Sequence, residues 1–463
     1  MEFSLPTEFC ERMQRLLGDE EYRLFMESFE KSAQKGLRIN PYQCEKDEII
    51  GKLCFSMRPI SYEENGFFLD YTESGIGNLP LHHAGAFYVQ EPAAMLPVAA
   101  ADIRPGDYVL DVCAAPGGKS TQIASAIGPD GLLCANEFVS SRAKILMSNI
   151  ERLGIPNAIV TNTDAAHLKE YYLGAFDCVF VDAPCSGEGM FRKNPAAISE
   201  WSQQNVSMCA KRSLGILSDA SECLRAGGLL VYSTCTYAVE ENEELIARFL
   251  EEHPEYSVEV LPDAVRQATS CGIQIDSCRE DLRRAARCYP HITGGEGQFV
   301  CVMRKHGDAP RAQITSSWEK LTVQEQTAAD TLIKELFPKG KAPFLLKKYR
   351  GVLYAVPPQM EISGICFCCG VRLGELRGNR IVPHHQLFST YGKQMTRQWK
   401  FSSDDLRVKQ YLHGDTIACD SAFANDSDGF GCVLVDGCAL GGAKKVGQTL
   451  KNHYPKGLRS NGV

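Results

Sequence analysis

The sequence predicts a doubly wound, Rossmann-like α/β domain set between a small N-terminal α/β unit and a C-terminal β-barrel. Three observations carry that prediction. Apolar runs and helical periodicity alternate from Tyr108 to Ser233, the βαβ pattern of a mostly parallel sheet covered by helices. The strand ends of that stretch collect Asp111, Glu137, Asp164, Asp182 and Cys235, and sheets of this kind bind ligands at their carboxyl edge. Beyond Ala342 the pattern changes to short strand runs between Gly and Pro turns, as in a small barrel.

A chain of 463 residues is too long for one core, and the expected divisions are 1–90, 91–305, a linker at 306–341, and 342–463. Phe9, Met13, Leu16 and Leu17 share one helical face and Tyr22, Phe25, Met26 and Phe29 another, so two amphipathic helices open the N-terminal unit. Leu37 to Asn40, ending before Pro41, and Phe67 to Tyr71 read as strands. A helix from about Pro92 then carries Met95, Leu96, Val98 and Ala99 inward, with Gln90 and Glu91 at its mouth.

Within the central domain the expected strands are 108–112, 132–136, 158–161, 176–182 and 228–233, and the expected helices 120–126, 141–153 and one long helix over 198–224. Arg287 to Met303 reads as a hairpin around a Gly-rich turn, and Thr322 to Phe337 as an amphipathic helix inside the linker.

Composition narrows the function classes. No apolar run approaches the ~20 residues of a membrane span, and the N-terminus lacks the basic-then-apolar order of a signal peptide. The expectation is a cytoplasmic protein that engages no membrane. In that compartment the 20 cysteines remain thiols. Cys366-Phe-Cys368-Cys369 reads as apolar filler in a strand rather than a metal clip, and no metal site is expected. Net charge is -8, yet 372–409 holds eight Lys/Arg against three Asp/Glu and 444–463 holds five Lys/Arg and no acid. A basic C-terminal module on an acidic body is the distribution of an appended RNA-binding domain.

Asp111-Val-Cys-Ala-Ala-Pro-Gly-Gly-Lys-Ser120 reads as strand end, tight loop and helix start. A glycine-lined turn at a helix N-terminus offers backbone N–H groups to a carboxylate or phosphate. The loop fails the dinucleotide pattern G-x-G-x-x-G, and Cys113 stands where a phosphate-binding P-loop needs Gly. What remains is a strand ending in an acid followed by a second, Leu132 to Glu137, also ending in an acid. An acid at the second strand tip suits ribose hydroxyls, and hence an adenosyl ligand such as S-adenosylmethionine (SAM).

Two further strand ends carry a cysteine each, in Asp182-Ala-Pro-Cys185-Ser-Gly and in Ser233-Thr-Cys235-Thr. Taken singly either could be a buried structural thiol; two in equivalent positions, one beside an aspartate, point to chemistry. Carbon 5 of a pyrimidine is a poor nucleophile toward a methyl group. Adding a thiolate to carbon 6 makes carbon 5 enamine-like, a carboxylate can hold the ring edge, and a base then removes the carbon 5 proton. The residues themselves leave open which cysteine attacks.

Asp111 to Lys119, Asp182 to Gly187 and Ser233 to Thr236, in that order and on those elements, resemble the motifs of the RNA cytosine-5 methyltransferases of the Nol/Nop/Sun family. The resemblance implies that Cys235 is the nucleophile, that Cys185 assists release and that Asp182 contacts the cytosine edge. It also implies that SAM is bound by Ala114, Ala115, Pro116, Gly117, Gly118, Lys119, Glu137, Arg142, Asp164 and Asp182. Family members often have proline where Ala238 stands before Val-Glu-Glu-Asn-Glu, and little consequence is expected because that turn lies past the nucleophile. His291, in a Pro-His segment that the family shares, is expected to be a structural or substrate-loop residue.

Phe430 to Gly437, Gly441 to Lys445 and Lys451 to Arg459 resemble the PUA-like module of the bacterial RsmF-type branch, which methylates small-subunit ribosomal RNA. The implied partner is ribosomal RNA or the small ribosomal subunit, met by a monomer, with the target base flipped to reach Cys235. Lys193, Lys444, Lys445, Lys451, Lys456 and Arg459 are the candidate RNA contacts, each phosphate contact steepening the salt dependence by a little under one unit. The same chemistry on tRNA, and a non-catalytic RNA-binding assembly factor, are the alternatives.

Overall fold

The computed structural model describes residues 5–53, 55–70, 75–275, 279–419, 423 and 426–459. The N-terminal helix Thr7–Phe29 is broken at Gly18, where φ is 75°, so the two expected amphipathic segments are two halves of one bent element. Phe9, Met13 and Phe25 are buried with Phe191, Trp201, Tyr237 and Tyr289, which seats the bend against the central domain. Four strands follow, β1 (Lys35–Ile39), β2 (Met57–Ile60), β3 (Glu63–Leu69) and β4 (Phe87–Val89), in the order β2-β3-β1-β4. Tyr71, the expected end of the strand over 67–71, lies outside the described residues.

The central sheet contains β5 (Tyr108–Asp111), β6 (Leu132–Asn136), β7 (Ala158–Thr161), β8 (Phe176–Asp182) and β9 (Leu224–Thr234), paired in parallel in the order β7-β6-β5-β8-β9. Alternate residues serve opposite faces. Leu110, Cys134, Ile159, Val179 and Leu230 enter one core, and Val109, Leu133, Val160, Cys178 and Val231 the other. A strand buried on both faces has no polar side to show, which is why these runs read as continuously apolar. Beyond β9 the sheet turns antiparallel through β10 (Tyr256–Val258), β11 (Ser270–Cys271), β12 (Ala286–Cys288) and β13 (Gln298–Lys305).

The single long helix expected over 198–224 is two helices. Asn194 caps Pro195–Glu200, the chain extends at Trp201, and Ser202 caps a second helix, Gln203–Ser221. Each cap side chain accepts a bond from a free backbone N–H of its own first turn, so a new start is cheaper than continuing. Leu224 already belongs to β9.

The C-terminal region departs from an appended module. The helix Val323–Leu336, closed by a capping box from Thr322 and Glu325, buries Ala328, Ala329, Leu332 and Leu336 against Leu353, Val371 and Leu387. Strands β14 (Leu345–Tyr349) and β15 (Val352–Val356) follow, and then β16 (Cys366–Cys369) pairs antiparallel with the edge strand β7. The cysteine cluster is filler, as expected, and Cys366 and Cys369 fill the same core as Leu110 and Ile159. They also complete the edge of the central sheet, covering backbone groups an open strand would expose. The five-stranded sheet over 398–452 and its helix Leu406–His413 place Trp399, Val433 and Tyr411 in one core with Leu37, Ile39 and Phe87 of the N-terminal unit.

Candidate active site

The parallel strands end together, and the loops beyond β5, β6, β8 and β9 form the site. A pocket is lined by Tyr88, Gln90, Glu91 and Ala94 on one side and by Asp111, Cys113 to Pro116, Gly118, Lys119 and Asp182 on the other. Gly117 sits at φ 114°, a conformation glycine adopts without strain, and opens the helix Gly118–Ile127. A Cβ at Gly118 would stand 3.4 Å from both Gln90 and Tyr88, so the loop is held close to the N-terminal unit. Asp111 accepts from Ser120 Oγ at 2.6 Å through Oδ2, while Oδ1 is buried with no partner among the described residues. Burial pushes the Asp111 carboxyl up to about 7, with the charges of Asp182 and Glu137 adding to the rise against the pull of Ser120 and Lys119. An orphaned buried acceptor beside an open pocket fits a bound donor.

Glu137 is buried; Oε1 accepts from the Val139 N–H at 2.9 Å, and Oε2 lies 3.4 Å from Arg142. Arg142 in turn donates to the Ala115 carbonyl at 2.8 Å, tying the second strand tip to the first loop. Asp164 is exposed and caps the following helix through His167 N–H at 2.8 Å. Arg38 was absent from the expected site residues. It is buried, bonds the Gly118 carbonyl at 3.0 Å and Thr121 Oγ1 at 2.7 Å, and also pairs with Gln90. No motif announces it, because it lies 80 residues from the loop it holds.

Asp182 and the two thiols meet at the centre. Lys119 Nζ lies 2.8 Å from Asp182 Oδ2, and Ser233 Oγ donates to Oδ1 at 2.6 Å. Burial alone would lower the Lys119 pKa, but the Asp182 carboxylate outweighs it and the net direction is up, so the ammonium stays charged. Cys185 Sγ and Cys235 Sγ stand 3.3 Å apart, both half-buried. The contact with Cys235, then burial, pushes the Cys185 thiol well above its usual range.

The Val239 to Glu243 turn, to which the sequence reading assigned no role, braces both cysteine loops. Glu241 accepts from Ser186 N–H at 2.9 Å, and its Oε1 stands 2.5 Å from Ser186 Oγ. Asn242 accepts from Thr234 Oγ1 at 2.7 Å and donates to the Thr236 carbonyl at 3.0 Å. Glu243 forms a buried ion pair with Arg287, whose Nη1 also bonds the Tyr237 carbonyl at 2.9 Å. All three carry chemistry-bearing side chains into an apolar interior, where unpaired they would be costly. Their signal in the sequence was an acidic run of the kind that ordinarily opens an exposed helix. His291 is structural: its ring meets Glu21 at 2.8 Å and lies edge-on to Phe25, holding the N-terminal helix.

The expected RNA contacts divide. Lys451 and Lys456 are exposed, and Lys444 lies over the Phe430 ring. Lys445 does not present its charge: it is 3% exposed and donates to the Asp426 carbonyl at 2.8 Å. The alternation of its strand turns it inward from Lys444. Arg459 folds back on the Tyr454 carbonyl. Lys193 stands at the site's rim, 3.8 Å from the buried Glu296.

Three family models match: 16S rRNA methyltransferase RsmB/F over residues 98–304, the N-terminal domain of 16S rRNA methyltransferase RsmF over 5–92, and the methyltransferase RsmF PUA domain over 399–460. The ribosomal RNA small subunit methyltransferase F of Erwinia tasmaniensis is 35% identical over 495 residues, covering 99% of this chain and 97% of that protein. Its namesake from Vibrio cholerae is 34% identical and covers 98% of each. Among solved structures, a methyltransferase homolog protein from Pyrococcus horikoshii is 26% identical, covers 65% of this chain and all of its own, and superposes with a TM-score of 0.55.

Proposed function

The chain belongs to the ribosomal RNA small subunit methyltransferase F family, and on that premise we propose that it transfers a methyl group from SAM to carbon 5 of a cytosine in 16S ribosomal RNA. The observation that carries the reading is the meeting of two thiols from separate strand ends, 3.3 Å apart, beside an aspartate fixed by Lys119.

SAM fits the pocket by the chemistry of its walls. The free N–H groups at the start of the helix Gly118–Ile127 suit the methionine carboxylate; the ribose hydroxyls are assigned to Glu137, just past β6 and outside the pocket's lining, with Arg142 and Asp164 toward that end. Bound there, SAM supplies an electrophilic methyl group. Cys235, as thiolate, adds to carbon 6 of the flipped base, forming a sulfur–carbon bond and moving the ring electron pair toward carbon 5. Asp182 holds the exocyclic edge of the ring, steadied by Lys119 and Ser233. After carbon 5 is methylated, Cys185, as thiolate, assists the release by taking the carbon 5 proton; the carbon–hydrogen pair restores the bond between carbons 5 and 6, and the Cys235 bond to carbon 6 breaks with its pair leaving on sulfur as thiolate. The RNA is held by the exposed Lys451 and Lys456 and by Lys444, with Lys193 nearer the target base. Among the described residues no helix is long and apolar enough to cross a membrane, and the proposed place of action is the cytoplasm, where the small subunit is assembled.

The test uses purified protein, methyl-labelled SAM, and either free 16S RNA or small subunits. Label should appear as 5-methylcytosine. Cys235→Ala should bind SAM and transfer nothing, while Cys185→Ala should accumulate a covalent RNA–protein adduct that survives a denaturing gel. Sustained turnover by Cys235→Ala would move the nucleophile elsewhere, and label confined to tRNA would replace the substrate.

A further inference from the structure

We propose that Glu241 is a protonated positioning residue, the donor end of a hydrogen-bond chain running Glu241 to Ser186 to Thr236 to Glu188 that locks the two cysteine loops together. The proposal rests on the reading that Cys185 and Cys235 act together on the base.

Counting protons leads to it. Three oxygen–oxygen contacts are in line: Glu241 Oε1 to Ser186 Oγ at 2.5 Å, Ser186 Oγ to Thr236 Oγ1 at 2.9 Å, and Thr236 Oγ1 to Glu188 Oε2 at 3.0 Å. The two hydroxyls supply two protons. A third must come from a carboxyl at one end, or two lone pairs face each other in a buried site.

The surroundings choose the end. Glu188 meets only donors: Trp201 Nε1 at 2.9 Å on Oε1, Thr236 Oγ1 and the Tyr237 N–H, both at 3.0 Å, on Oε2, and Arg12 at 4.0 Å. Burial raises the Glu188 carboxyl as well, but Arg12, Trp201 Nε1 and the Tyr237 N–H can only donate and pull it back toward the carboxylate, a cation and two fixed donors against the single fixed donor on Glu241. Glu241 meets one backbone donor, the Ser186 N–H on Oε2, and one hydroxyl on Oε1. A neutral carboxyl satisfies both, its carbonyl oxygen accepting from the amide and its O–H donating to Ser186 Oγ. Thr236 Oγ1 then accepts from Ser186 and from the Ala238 N–H at 3.3 Å and donates to Glu188, which fills it.

The groups around Glu241 agree. Burial, with the charges of Glu188 and Glu240, pushes its carboxyl up to about 7 against the opposing bonds from Ser186. Across the packed elements it faces the Cys185 and Cys209 thiols and the Tyr232 hydroxyl, which donates to its backbone carbonyl at 2.7 Å. Two cations stand in that region: Arg12 pairs with Glu240 and leans on Glu188, and Arg212 donates to the Pro184 carbonyl at 2.9 Å and lies 3.3 Å from Cys209 Sγ.

Ser186 and Thr236 are the residues immediately after the two thiols, so their bond fixes one loop against the other. If Glu241 ionises, the Ser186 hydroxyl proton turns to it and the link to Thr236 is lost. Glu241→Gln places an N–H donor and a carbonyl where the neutral acid has them; Glu241→Ala removes both.

The experiment reads the infrared difference between the wild type and Glu241→Gln, in the resting protein at neutral pH with neither RNA nor SAM added. A protonated-carboxyl C=O band present in the wild type and missing from the variant is expected. Because nothing need turn over, its failure is separable from failure of the methyl-transfer reading. In the labelled assay Glu241→Ala should lose roughly 100-fold in kcat with the KM for SAM unchanged, and Glu241→Gln should recover most of that loss. The wild type's decline in kcat above neutral pH should flatten in Glu241→Gln. The absence of the band, or a Glu241→Gln variant as slow as Glu241→Ala, would overturn the protonated chain.

Discussion

The N-terminal and C-terminal regions flank the same central sheet but reach it differently. The N-terminal unit comes to the carboxyl edge: Arg38 holds the 118–121 turn, Tyr88, Gln90 and Glu91 wall the pocket, and Arg12 braces the glutamates behind the cysteines. The C-terminal region attaches along the β7 edge and through the core around Trp399, and the residues lining the pocket all come from between Tyr88 and Asp182. One region is part of the chemistry, whereas the other is structurally fused and chemically remote. Physical attachment and participation in a site are therefore separate properties of a domain.

That contrast can be broken at several points. The largest effect is expected from Trp399→Ala, which empties a fully buried indole site shared by both flanks. A loss of about 3–5 kcal/mol should lower one cooperative melting transition. Two separate transitions, with the N-terminal unit unaffected, would mean the shared core does not couple the flanks.

Next comes Glu241, which belongs to neither flank and sets the scale for the site itself. Its folded-state pKa is raised from 4.5 to about 7, so the folded protein holds a proton that the unfolded chain releases. Stability must then fall as pH rises between those two values and level off above them. Glu241→Gln carries no such term. The two proteins should be similar in stability near pH 4.5, and the variant should gain on the wild type by up to about 3 kcal/mol by pH 7. Parallel urea midpoints across that range would remove the shift.

A smaller loss is expected for Arg38→Ala. It removes the guanidinium from the Gly118 carbonyl and Thr121 Oγ1, which keep their bond to each other at 3.1 Å, and a charge-assisted bond of this kind contributes roughly 1.5–3 kcal/mol. SAM affinity by calorimetry should weaken about tenfold or more, and unchanged affinity would detach the N-terminal unit from the pocket. The smallest change is expected from the pair Lys451→Ala and Lys456→Ala. RNA affinity should weaken, with the salt slope falling by up to about one unit per lysine, while SAM affinity holds. A matching drop in SAM affinity would join the remote region to the site after all.

The sequence by itself determined the succession of strands along the chain from Tyr108 to Ser233, the ligand loop, the pair of cysteines and the amphipathic helix over Thr322 to Phe337. These are local signals: two-faced apolar runs, a glycine turn, a helical period, each read within about fifteen residues. Tertiary structure alone decided the rest. Arg38 becomes part of the pocket, Lys445 turns inward, the run after Ala238 becomes the brace of both thiol loops, and Cys366 to Cys369 closes a sheet edge two hundred residues upstream. A buried polar group takes its meaning from the partner that satisfies it, and in each of these cases the partner comes from a distant part of the chain.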